Sequence, residues 1–103
     1  MMRYILHFDD TSLDIELEGD FTFMDTHVFH RMLRAISAEG EYSAIHIDVR
    51  KLTSIDSTAL HLLMMAADAA KKNHRSLVFE NPKGQVYERL NEAASYNALH
   101  IAA

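Results

Sequence analysis

The chain has 103 residues, the size of one domain, and its 49% hydrophobic content is enough to build a core without crosslinks. It contains no cysteine, which excludes disulfides and thiolate metal sites, and its net charge of -5 argues against a nucleic-acid partner and gives no attraction to an anionic membrane. The opening "MMRYILHF" runs straight into Asp9 and Asp10, too short and too soon polar for a secretory leader, and no segment reaches the ~20 apolar residues of a membrane span. These features predict a single cytoplasmic domain over 1–103, with no membrane insertion and no nucleic acid.

Residues 3–8, "RYILHF", read as a strand with Tyr4, Leu6 and Phe8 on one face. "DDTS" is a turn, because Asp, Thr and Ser side chains bond locally to the backbone. "LDIELEG" then alternates, with Leu13, Ile15 and Leu17 inward and Asp14, Glu16 and Glu18 outward, the period of a half-buried strand. The short turn predicts a hairpin. Next the period lengthens: Val28, Phe29, Met32, Leu33 and Ile36 share one helical face. Thr22 or Asp25 can cap that helix, and Thr22-x-x-Asp25 has the form of a capping box. Gly40 suits its exit.

Residues 44–49, "AIHIDV", alternate as a strand, and "TSIDS" reads as the connection to a helix from about Ser57 to Lys72. Residues 76–80, "SLVFE", form another strand, and "NP" breaks the chain. Val86, Leu90 and Ala93 or Ala94 mark a third helix, and "LHI" a last short strand. The order β-β-α-β-α-β-α-β predicts an α/β fold, with a mostly parallel, mixed sheet of about five strands opened by a hairpin.

The second helix carries two features. On a wheel of 100° per residue, Ala59, Leu63, Ala66 and Ala70 form its core side, flanked by Leu60 and Ala67. His61, Asp68 and Lys72 point the other way with Met65 among them, and Leu62 and Met64 lie at the two edges of that polar stripe. Methionine adapts to partner surfaces, so His61, Leu62, Met64 and Met65 are the candidate partner-binding residues. The entrance, "TSIDSTAL" (53–60), crowds small polar groups where a buried helix begins. Asp56 and Ser57 are both good N-caps, and capping alone accounts for one of them. The same helix start also tolerates a phosphate, although on Ser57 it would stand beside the repelling carboxylate of Asp56.

"DVRKLTSIDSTALHLLMMA" resembles the core motif of the STAS domain, as in bacterial anti-sigma factor antagonists. There an Asp ends the central strand, here Asp48. Eight residues on comes Asp-Ser-Ser/Thr/Ala-Gly/Ala-Leu, here Asp56, Ser57, Thr58, Ala59 and Leu60. "LEGDFT" (17–22) and "NPKGQVYERLNEAASYNALHI" (81–101) resemble the flanking elements, so the likeness covers nearly the whole chain. Two positions depart from the pattern: the family often has Gly at the position of Ala59, and many members have an acid at that of Thr22.

The resemblance implies that Ser57 is the phospho-acceptor of a partner switch, with Asp20, Thr22, Asp56, Thr58 and Ala59 around it. It implies as partners an anti-sigma factor that is also a serine protein kinase, and a PP2C-type serine phosphatase. The unphosphorylated form would bind the anti-sigma factor and release a sigma factor. The alternative within the same fold is a small subunit of a lipid-transport ATPase complex, docking through the Ser57 helix without phosphorylation.

No enzyme, metal or cofactor is expected. His27 and His30 are spaced i, i+3 but lack a third ligand. His7, His46 and His100 fall in predicted strands and read as structural. Asp48 and Asp56 have no nucleophile or base to make a catalytic pair.

Overall fold

The computed structural model describes residues 1–38, 40, 42–97 and 99–102, so the last residue of the expected 1–103 domain lies outside the described residues. Strands β1 (Arg3–Phe8), β2 (Ser12–Phe21), β3 (Ala44–Ile55), β4 (Ser76–Glu80) and β5 (His100–Ala102) form one sheet in the order β1-β2-β3-β4-β5. The first pair is antiparallel and the other three are parallel. A 3-10 turn (Phe23–Asp25) leads into α1 (Thr26–Ser37), and α2 (Ser57–Lys72) and α3 (Gly84–Ala94) make the later crossovers. This is the predicted order of elements and the predicted mixed sheet.

Alternation places the core on one side of the sheet. Leu13, Ile15 and Leu17 of β2, Ile45, Ile47 and Val49 of β3, and Leu77 and Phe79 of β4 are all buried. They meet Phe29, Met32 and Ile36 from α1, Ala59, Leu63, Ala66 and Ala70 from α2, and Val86 and Leu90 from α3. The other face is mainly polar, with Ile5 exposed and Val78 half-buried on it. Its register brings His7 beside Asp14, Asp14 beside His46 and Glu16 beside Asp48. His7 and His100, expected to be structural, are exposed there, while His46 is half-buried and reaches Glu80 at 3.2 Å. His27 and His30 also face solvent, on α1.

Two boundaries differ from expectation. The β3 strand continues through Thr53, Ser54 and Ile55, because β2 also runs on and pairs with it to the Phe21–Ile55 rung. The expected five-residue connection therefore shrinks to Asp56 alone. The α1 helix ends with Ala38 as an extended C-cap, ahead of Gly40. Below it, Arg75 clamps the loop: its guanidinium donates to the Ile36 carbonyl at 2.7 Å and lies 4.0 Å from the centre of the Tyr42 ring.

Candidate functional site

The site forms where the prolonged ends of β2 and β3 meet the start of α2. The β2 register shifts at Gly19, whose φ is +94°. A Cβ there would stand 2.6 Å from the Met1 carbonyl oxygen, so both the backbone angle and the space demand glycine. The shift sets Asp20 opposite Ser54. Asp20 Oδ1 accepts hydrogen bonds from the Thr53 hydroxyl and, at 3.0 Å, from the Ser54 hydroxyl. The surplus hydroxyls of the motif thus hold the two strand ends together.

Those bonds, Thr53 first and Ser54 second, lower the Asp20 pKa below its ordinary 3.8. A carboxylate depressed in the fold adds stability above its unfolded pKa and loses it as pH falls through the folded value. The loss therefore falls in acid, below 3.8. Asp20→Asn should melt slightly below the parent at neutral pH, with the two midpoints converging on acidification. A constant gap from about pH 7 to about pH 2 would refute the linkage.

The predicted capping box is made, but on the 3-10 turn rather than directly on α1. Thr22 Oγ1 accepts from the Met24 N–H at 3.3 Å, and Asp25 returns the bond by accepting from the Thr22 N–H at 3.0 Å. Asp25 is buried and its other oxygen accepts from the Met2 N–H at 3.2 Å.

Of the two candidate caps on α2, Asp56 is the one used. Its Oδ1 accepts from the Ala59 N–H at 2.8 Å and its Oδ2 from the Phe23 N–H at 2.9 Å. One carboxylate thereby caps the helix and ties it to the 3-10 turn. Ser57 is the first helical residue and is exposed. Its Oγ accepts a hydrogen bond from Arg89 Nη2 at 3.1 Å. Arg89 is brought there by its own helix. One turn earlier, the Gln85 amide exchanges two bonds with the Ile55 backbone, accepting from its N–H at 3.0 Å and donating to its carbonyl at 2.7 Å. That pair fastens α3 to the end of β3, and Arg89 follows at i+4 on the same helix face.

The remaining predicted residues divide. Thr58 and His61 are exposed, and Met64 is half-buried beside Leu60 and Arg89 in a groove between α2 and α3. Ala59 is fully buried, so it supports the site from below. Leu62 is a correction: only 3% of it is exposed, and it belongs to the core rather than to a partner surface. Met65 is half-buried and lies with Leu33 between α1 and α2. The reason is that α1 packs along α2, so α2 is covered by a helix as well as by the sheet, which a wheel of one helix does not register.

Four neighbours carry no prediction from the sequence. Phe23 and Met24 are 64% and 72% exposed beside Asp56. The signal for them was two large apolar residues in "FTFMD" outside any periodic pattern. Arg89 and Gln85 gave no local signal, since their partners lie 32 and 30 residues away. Among the described residues no cluster of His, Asp and Glu is arranged to hold a metal, and no helix is long and apolar enough to cross a membrane.

The sequence over residues 6–96 matches the family model described as "Mlab, STAS domain". No curated protein matches the chain. Solved structures share the fold at low identity. The putative anti-sigma factor antagonist from Thermotoga maritima superposes with a TM-score of 0.82 at 14% identity, over 97% of this chain and 86% of that one. The Bacillus cell fate determinant SpoIIAA in its phosphorylated form gives 0.74 at 13% identity, over 98% and 91%. A sulfate transporter family protein from Wolinella succinogenes gives 0.70 at 22% identity, over 86% and 74%. These likenesses extend across antagonists and a transporter protein, so they speak for the architecture; the family follows from the sequence match over most of the chain, and by that match this protein belongs to the STAS domain family.

Proposed function

We propose that this chain is a phosphorylation-switched anti-sigma factor antagonist, with Ser57 as the phospho-acceptor. The observation that carries the reading is the division of labour at the helix entrance. Asp56 makes the cap and the cross-link with its two oxygens, which leaves the exposed Ser57 hydroxyl without a backbone bond to maintain. A phosphate there changes the charge of a surface without dismantling the fold. A protein of the same architecture is known in a phosphorylated form. The unphosphorylated chain would bind an anti-sigma factor that is also a serine kinase, and a PP2C-type phosphatase would restore that form. His61 and Met64 follow Ser57 along α2 on the partner surface, and Phe23 and Met24 extend it across Asp56.

The test is binding of Ser57 variants to an anti-sigma factor of the serine-kinase type from the same host. Ser57→Asp is expected to weaken binding by about tenfold or more, as a new charge in an interface does. Ser57→Ala should bind as the unmodified parent does, regardless of kinase and ATP. Equal retention of the same partner by both variants sinks the reading.

A second reading has one observation in its favour. Phe23 and Met24 form an exposed apolar pair at the site, and such a pair can dock on a partner with no phosphate involved. A small subunit of a lipid-transport ATPase complex would use the surface in this way. An ATPase that co-purifies with the tagged chain, with no phosphoserine on the protein by intact mass, decides for it.

A further inference from the structure

We propose that Arg89 is the counter-charge of a Ser57 phosphate, turning it away from Asp56 and holding it at the mouth of the groove between α2 and α3. The inference rests on the phospho-acceptor reading and assigns the residue that sets where the phosphate lies. Arg89 already donates to Ser57 Oγ at 3.1 Å, so its guanidinium occupies the space next to the oxygen that would carry the phosphorus. Among the described residues Arg89 makes no ion pair, and its charge is therefore uncommitted.

Asp56 cannot swing aside to relieve the phosphate, because each of its oxygens is engaged by a backbone N–H. A dianion on Ser57 thus meets a fixed negative neighbour towards the 3-10 turn and a positive one towards α3. Charge and geometry both send it towards α3, where a guanidinium can bind two phosphate oxygens at once. Gln85 makes that position firm by fastening the first turn of α3 to Ile55. The groove beyond is lined by Leu60, Met64, Arg89, Glu92, Ala93 and Tyr96, so the added charge would appear at the rim of a partly apolar surface. Besides Asp56, the charged or titratable groups around the site among the described residues include His61, one turn along α2, and Glu88, Glu92 and Tyr96 on the α3 side. Glu92 opposes a phosphate that slides further down the groove, which favours a latch at Arg89 itself.

The experiment uses the full chain with phosphoserine placed at position 57 during translation. Its 31P resonance is followed against pH in the parent, in Arg89→Gln, and in Arg89→Met, which keeps the stem packing should the glutamine variant fold poorly. The second ionisation of phosphoserine ordinarily lies near pH ~6. It should lie about 0.5 unit or more lower in the parent than in either variant, with the gap narrowing in high salt. His61 is common to all three proteins, so its contribution cancels in the comparison. Coincident titrations of parent and folded variants overturn the role of Arg89. Because the phosphate is installed by translation, that outcome leaves the antagonist reading standing. Absence of phosphoserine in the native host would sink the antagonist reading and leave the titration unaffected.

Discussion

Leu62→Ala is expected to cost about 3 kcal/mol of stability and to lower the melting temperature by roughly 10–20 °C. Leu62 is 3% exposed and belongs to the core cluster, so truncation leaves a cavity where α1 closes over α2. Met64→Ala, at a half-buried position on the groove between α2 and α3, should cost only about 1 kcal/mol. The pair separates a core role from a surface role within one helix turn. Denaturant unfolding is the measurement: the midpoint of Leu62→Ala should fall with the slope unchanged. A Leu62→Ala protein of parental stability that has lost its partner would return Leu62 to the binding surface.

Asp56→Ala carries the second large effect, about 2 kcal/mol. The sum has two parts. Loss of a helix N-cap costs ~1 kcal/mol. Loss of the second charged acceptor, which holds the Phe23 N–H at 2.9 Å, costs about as much again. Asp56→Asn keeps one acceptor oxygen and should fall near half of that. Ser57→Ala should stay within about 0.5 kcal/mol of the parent, because Ser57 is not the cap and its one side-chain bond is an exposed contact with Arg89. Thermal melts of the three variants test the ordering. A Ser57→Ala protein as unstable as Asp56→Ala would mean that the serine shares the capping, and the free hydroxyl on which the switch depends would be lost with it.

This ordering also shows where local pattern stops being informative. Asp56 and Ser57 are equally good caps by residue type, and nothing next to them in sequence chooses between them. The tertiary structure adds a second bond to Asp56, from the N–H of Phe23, 33 residues away. Thr53 and Ser54 look like turn residues for the same reason. Their acceptor, Asp20, is delivered by the parallel pairing of β2 with β3, and that pairing also turns the expected loop into strand.

The sequence by itself determined the element types and their order, the inward faces of β2 and β3, the core side of α2 and the Thr22–Asp25 capping box. Each of these depends on periods of 2 or 3.6 residues or on bonds spanning a few positions, and such patterns are complete within one element. It also placed Ser57 at the helix entrance through the STAS-like motif. The tertiary structure alone decided that Leu62 is buried and Met65 half-covered, since the covering helix is α1 and its position depends on the whole crossover. It alone brought Arg89 to Ser57, through the anchoring of α3 at Ile55 by Gln85. Those contacts join residues about 30 positions apart; side-chain identity shows that an arginine can bind a serine, but only the packing of α3 against the end of β3 determines which arginine and which serine meet.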